Sequence, residues 1–264
     1  MNTPSASTSP VLVVENVAMR FGGLVAISDM NFHVKEGELL SLIGPNGAGK
    51  TTAFNIITGY QRPTKGNVNF RGRSLAGMKP HHVASLGLVR TFQRTSVFDK
   101  ISVFDNVLIG LHRRTSPSLL GTLLALPREV KAEADLRDQA HEILKLVGIA
   151  HHAKEQASSL PYGDQRLLGV ALALAAEPLA LLLDEPVSGM NASETGRFVD
   201  LLKRLQAKGM TILLVEHDMP LVMGVSDRII VLNYGRIIAD GTPQQIQNDP
   251  EVVKAYLGQG VKNA

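Results

Sequence analysis

The sequence predicts an α/β fold in which a parallel-sheet core carries an antiparallel β edge and an inserted helical lobe. Three observations lead there. Short apolar runs, "ELLSLIG" at residues 38–44, "LALLLDEP" at 179–186 and "TILLVEHD" at 211–218, read as strands buried on both faces. A glycine-rich turn, "GPNGAGKTT" at 44–52, joins the first of these to a helix. Between residues 99 and 156 the spacing becomes helical, with "SVFDNVLIGL" followed by "EVKAEADLRDQAHEILKLVGI" and its apolar face.

The elements follow in order. Residues 1–10, "MNTPSASTSP", are small, polar and uncharged apart from the terminus, and read as a disordered leader. Residues 11–20 and 31–35 read as strands, the second closed by a turn at Glu36 and Gly37. A helix is expected from Lys50 to Ile57, stopped by Gly59. Alternation and turn glycines at 66–75 predict an antiparallel hairpin element, and 86–93 a further strand. "SSLPYGDQRLLGVALALA", residues 158–175, opens like a helix start before a long apolar run. Glu177 and Pro178 break that run before the strand at 179–186. A helix at 193–208 precedes the strand at 211–218, "RIIVLNYGRIIADG" is a hairpin turning near Asn233, Tyr234 and Gly235, and "DPEVVKAYLG" is a short helix.

Composition excludes several classes. The chain has 264 residues, 44% of them hydrophobic, enough for a substantial core. An excess of 27 Lys and Arg over 24 Asp and Glu is too small to argue for nucleic acid. No cysteine is present, which removes disulfides and thiolate metal sites. No apolar run reaches the roughly 20 residues of a membrane-spanning helix. His81 with His82 and His151 with His152 are neighbours in sequence, whose side chains are expected to point apart and to suit no metal.

The chemistry begins at Gly44, Pro45, Asn46, Gly47, Ala48, Gly49, Lys50, Thr51 and Thr52, which fit the phosphate-cradling pattern G-x-x-x-x-G-K-[ST] between a strand and a helix. Glycines let backbone N–H groups turn toward phosphate oxygens, and the helix N-terminus adds its dipole. Lys50 is placed for the terminal phosphates and Thr51 to offer a hydroxyl to Mg²⁺. Asp184, at the end of a buried strand, is the expected acidic partner of Mg²⁺. Glu185 follows as the candidate base for the attacking water. No N-K-x-D guanine-reading motif is present.

"LPYGDQ", residues 160–165, lies just before the acidic strand, where the ATP-binding cassette family carries L-S-G-G-Q. On these motifs the sequence resembles that family over nearly all of the chain from Val11. The resemblance implies a P-loop NTPase (RecA-like) core at 11–94 and 166–264, with a helical subdomain at 95–165 ending in the signature. It implies that Gly163, with Tyr162, Asp164 and Gln165, faces an ATP held by a second subunit. "LPYGDQ" keeps Leu160, Gly163 and Gln165 and departs at Pro161, Tyr162 and Asp164. The resemblance further implies that Gln93 senses Mg²⁺ and the attacking water, that His217 contacts the γ-phosphate, and that Phe21 stacks on adenine. Asn191 in "SGMN" stands where the family usually has Asp.

"RFGGLVAISDMNFHV", "YGDQR", "LLVEHDM" and "GTPQQIQNDPEVVKAYLG" resemble the ATP-binding subunits of branched-chain amino acid importers, a pattern that importers of urea or aromatic acids largely share. Soluble cassette ATPases acting on DNA or ribosomes usually carry coiled-coil or zinc inserts or a second cassette. The resemblance implies ATP and Mg²⁺ as cofactors. It also implies integral-membrane permease subunits, a second ATP-binding subunit and, indirectly, an extracytoplasmic solute-binding protein as partners, with no nucleic acid. The expected place is the cytoplasmic face of the plasma membrane, bound peripherally. Residues 119–127, "LLGTLLALP", flanked by Arg113, Arg114, Arg128 and Lys131, are expected to form a lobe helix or to lie near the membrane partner.

Overall fold

The computed structural model describes residues 10–91, 97–112 and 127–257. The leader apart from Pro10, Gln93 and the segment 119–126 lie outside the described residues. The chain divides into two compact units. One is the chain up to Arg90 together with Leu179–Glu185 and the stretch from Leu202 onward; the other is Thr91–Pro178 with Pro186–Leu201.

The first unit holds a ten-stranded sheet. Its strands are β1 (Pro10–Phe21), β2 (Leu24–Lys35), β3 (Leu39–Ile43), β4 (Lys65–Phe70), β5 (Arg73–Ser74), β6 (Leu88–Arg90), β7 (Ala180–Asp184), β8 (Thr211–Val215), β9 (Arg228–Asn233) and β10 (Arg236–Gly241). The order is β5-β4-β1-β2-β10-β9-β3-β8-β7-β6. From β9 to β6 all neighbours are parallel. Every residue of β3, β7 and β8 is buried, as the unbroken apolar runs require. The β1, β2, β4 and β5 edge is antiparallel and alternates, with β1 bulged between Val14 and Val17. β2 begins at Leu24, seven residues before the expected strand, because it pairs back along the whole of β1. β6 is shorter than the expected 86–93 strand: Leu86 caps helix α2 (Pro80–Ser85), and Gly87 turns the chain at φ 95°.

Register sets the geometry of the site. Leu42 pairs with Val215, and Val215 pairs with Asp184. The C-terminal ends of β3, β8 and β7 are therefore level. Asp184 stands two strand spacings, roughly 10 Å, from β3, with β8 between. Helix α1 (Lys50–Ile57) follows β3 and buries Ala53, Phe54, Ile56 and Ile57.

In the second unit α3 (Val103–His112), α4 (Pro127–Val147) and α5 (Tyr162–Ala175) pack on one another. α3 buries Val103, Asn106, Val107, Leu108 and Leu111, one helical face. The buried Asn106 amide is satisfied: it accepts from Phe98 N (2.8 Å) and donates to Phe98 O (3.1 Å) and Ser102 O (3.0 Å). A Cβ on Gly110 would stand 2.9 Å from Ala175 Cβ, so α3 and α5 approach closely there. Packing against α3 and α4 places α5 in this unit. The loop after β7 leads into α6 (Ala192–Ala207), whose Phe198 is fully buried.

The histidine pairs differ from expectation. The rings of His81 and His82 stand 4.1 Å apart, and those of His151 and His152 4.0 Å. These pairs sit in the first turn of α2 and in a 3₁₀ turn, where the helical backbone turns adjacent side chains less far apart than the strand's alternation does. Among the described residues they join no cluster of three or more metal-binding side chains.

Candidate active site

Gly44 directly follows β3 at φ 150°, and a Cβ there would stand 2.0 Å from Leu232 O. Gly49, at φ 107°, is the N-cap of α1; its Cβ would meet Ala26 O at 2.8 Å. Only glycine allows both the dihedral and the approach. The loop is held from outside by Gly235 N, which donates to Ala48 O at 2.9 Å. Gly49 has no side chain with which to cap the leading N–H groups of α1. Thr51 and Thr52 stand in its first turn, Thr51 exposed and Thr52 half-buried.

Lys50 is buried and donates from Nζ to Gly44 O (2.6 Å) and Pro45 O (3.1 Å). Burial lowers its pKa below the ordinary lysine value, opposed by the charges of Glu185 and Asp184. The ammonium is thus aimed into the loop, with both acids within electrostatic reach.

Asp184 is buried, and Oδ2 accepts from Arg90 Nη2 at 2.6 Å. Arg90 also donates from Nη1 to Asn55 Oδ1 (2.8 Å) and Thr58 Oγ1 (3.2 Å), and lies over the Phe54 ring at 5.5 Å. Sequence reasoning missed Arg90; its signal is a lone cation inside the apolar strand "LGLVRTF". Glu185 is half-buried at φ 45°, uncommon for a residue with a side chain, and its N–H donates to Val215 O at 2.8 Å. The turn carries the Glu185 side chain out of the strand just beyond Asp184. His217 is exposed two residues past β8, its backbone N–H bound by the buried Glu216 carboxylate at 3.0 Å.

Phe21 is 45% exposed at the tip of the β1–β2 hairpin, opposite Leu24. It is therefore no core residue. The hairpin runs from there to Ala26, the residue that touches Gly49's position, a span of roughly 7 Å. Burial pushes the phenol of Tyr256 up to about 12, against a downward pull from the backbone of Gly44. The last described helix, α7 (Pro250–Leu257), thus comes close to the start of the phosphate loop.

The second unit carries the other predicted residues. Pro161 is the N-cap of α5, again with no side-chain cap. Tyr162 is 46% exposed; its hydroxyl donates to Ser188 O (3.0 Å) and accepts from Arg166 Nε (3.0 Å). Gly163 N donates to Glu194 Oε1 at 3.2 Å. Asp164, one of the departures from the family motif, is buried, with Oδ1 on Arg197 Nη1 (2.9 Å) and Oδ2 3.4 Å from His152 Nε2. Its first-turn position points inward, toward Arg197 on α6 and the His152 ring of the 150–152 turn. Gln165 turns back to donate from Nε2 to Leu160 O at 3.0 Å. Asn191 is not a free acid surrogate: its Oδ1 accepts from Ser193 N and Glu194 N, both 3.0 Å, and starts α6.

A parallel sheet with a phosphate loop after β3, a buried Asp at the end of β7 and a glutamate directly after it defines a P-loop nucleotide hydrolase. The family model described as ABC transporter matches residues 27–188, and that described as branched-chain amino acid ATP-binding cassette transporter matches residues 236–262. The chain is 44% identical over 253 residues to the high-affinity branched-chain amino acid transport ATP-binding protein LivG of Salmonella typhimurium, covering 96% of this chain and 99% of that one. A crystal structure of the ADP conformation of an ATP-binding cassette of an ABC transporter superposes with a TM-score of 0.82 at 30% identity, covering 95% of this chain and 100% of that one. A dimeric cassette in a post-hydrolysis state, bound to ADP and phosphate, matches with a TM-score of 0.72 at 25% identity, covering 88% and 98%. The chain belongs to the ABC transporter family.

Proposed function

We propose that this chain is the ATP-binding and hydrolysing subunit of an importer of branched-chain amino acids. The observation that carries the reading is full-length likeness to LivG, 44% over 96% of the chain, joined to a second family match at 236–262. Backbone N–H groups of residues 46–52 cradle the phosphates, and Lys50 turns from its carbonyls to the terminal phosphate. Phe21 stacks on the adenine. The Thr51 hydroxyl and the Asp184 carboxylate are hard oxygen donors, the kind Mg²⁺ takes alongside water and substrate phosphate. Held there, the ion would supply positive charge to offset the negative charge developing on the transferring phosphoryl group. Glu185 accepts the proton of the attacking water, while His217 and Gln93 hold the γ-phosphate and the water.

The same reading makes the site bipartite. Gly163, with Tyr162, Asp164 and Gln165 at the start of α5, serves the nucleotide held by a second ATP-binding subunit, and Asp164 does so by orienting the helix. No described helix is long and apolar enough to cross a membrane. Work in transport then requires separate permease subunits and a solute-binding protein, with this chain peripheral on the cytoplasmic face.

The test is uptake of labelled leucine, isoleucine and valine by cells lacking this chain, complemented with wild type or Lys50→Ala. Restoration by wild type alone is expected. Uptake of urea or an aromatic acid restored in place of the aliphatic amino acids would replace the substrate assignment.

A further inference from the structure

Three consecutive residues at the start of α5 are tied to the segment that begins α6. Tyr162 Oη donates to Ser188 O at 3.0 Å, Gly163 N to Glu194 Oε1 at 3.2 Å, and Asp164 Oδ1 accepts from Arg197 Nη1 at 2.9 Å. The middle tie is the one that touches the amide of interest. Glu194 uses its other oxygen, Oε2, to accept from Asn191 N at 2.9 Å. Together with Asn191 Oδ1 on Glu194 N, this is a reciprocal capping box at the start of α6. An ordinary capping box needs only one carboxylate oxygen. Here the second oxygen crosses to the N-terminus of another helix.

We propose that Glu194 is a positioning residue for the two-subunit reaction: its carboxylate locks the start of α5 to the 188–191 loop, so that both present themselves to the second subunit as one body. The proposal rests on the reading that Gly163 faces the second subunit's nucleotide. Several features support it. α5 has no side-chain cap of its own, since Pro161 offers no hydroxyl. Glu194 is half-buried, and a Cβ on Gly163 would stand 2.7 Å from its carboxyl carbon, so no larger residue fits beside it without moving it. The flanking Tyr162 and Asp164 ties fix the same two segments, so loss of the middle one alters alignment rather than unfolding the unit.

The experiment compares Glu194→Ala and Glu194→Gln in the transporter complex purified through a tag on this chain, measuring kcat and KM for ATP. ATP affinity of the isolated chain and its thermal unfolding are measured alongside. Glu194→Ala is expected to lower kcat about tenfold, the scale of a lost charge-assisted hydrogen bond, with isolated-chain affinity unchanged. Glu194→Gln keeps one acceptor oxygen and is expected to recover to within about threefold of wild type. Wild-type kcat in Glu194→Ala overturns the proposal. So does an equal loss in both variants that follows the fall in melting temperature, which marks a purely structural role. Gly163→Asp in the same assay separates the two levels: if it leaves kcat intact, the second-subunit reading falls and this proposal with it. If it lowers kcat while Glu194→Ala does not, only the role of Glu194 falls.

Discussion

The N-termini of α1 and α5 are built in opposite ways. Neither is capped by the side chain of its own N-cap residue, Gly49 or Pro161. At α1 a cation fills the loop: Lys50 donates to the carbonyls of Gly44 and Pro45, and the N-cap Gly49 offers no side chain to the helix. At α5 an anion of the chain itself, Glu194, already holds the Gly163 amide. The first end is kept ready for a phosphate and the charge to hold it. The second is held in shape by its own unit. A helix N-terminus favours an anion in either case; what differs is whether the fold supplies it.

The largest effect should come from the chemistry beside α1. Glu185→Gln is isosteric and cannot take a proton, so turnover should fall about 10³-fold with ATP affinity retained, read by phosphate release and equilibrium binding. Wild-type hydrolysis would place the base elsewhere. Arg90→Ala leaves the buried Asp184 carboxylate unpaired and should cost roughly 3 kcal/mol of stability by urea unfolding. An unchanged midpoint would show that the pair contributes nothing to the first unit.

Lys50→Ala should weaken ATP binding to the isolated chain by about 10- to 100-fold, the scale of a lost hydrogen bond to a charged group. A milder effect follows from burial of the same ammonium. Its pKa is lowered in the free chain, and phosphate oxygens favour the charged form, so binding ATP raises it again. Binding should therefore take up protons on the alkaline side of neutrality, and affinity should fall a few-fold as pH rises there. Calorimetry in two buffers of different ionisation enthalpy reads the uptake, which should vanish in Lys50→Ala.

The α1 end was legible because its parts are contiguous: strand, glycine turn, lysine and helix lie within residues 38–57, and "LALLLDEP" states its own burial. β3, β7, β8 and α1 were readable for that reason. The α5 end was legible only as a motif. Its ties join residues 31 and 33 positions apart, Gly163 to Glu194 and Asp164 to Arg197, and no local period reports them. Arg90 and Asp184 are 94 positions apart. The sequence marks Asp164 only as a departure from the family pattern, because it does not say which face of the first helical turn points inward. β8 between β3 and β7 is likewise a matter of strand order, which apolar runs do not encode.

The account turns on whether the α5 end serves another subunit's nucleotide, and Gly163→Asp asks that directly. The new carboxylate stands beside Glu194 at a helix N-terminus in the second unit, while Lys50 and the phosphate loop belong to the first. ATP affinity is measured on the isolated variant, with thermal unfolding to show that it is folded, and ATPase on the assembled complex. The account predicts isolated-chain affinity within about twofold of wild type and complex ATPase lower by about 10²-fold, the loss seen when a preorganised donor is removed. Loss of ATP binding by the folded isolated variant would contradict it, since the motif would then act within its own chain.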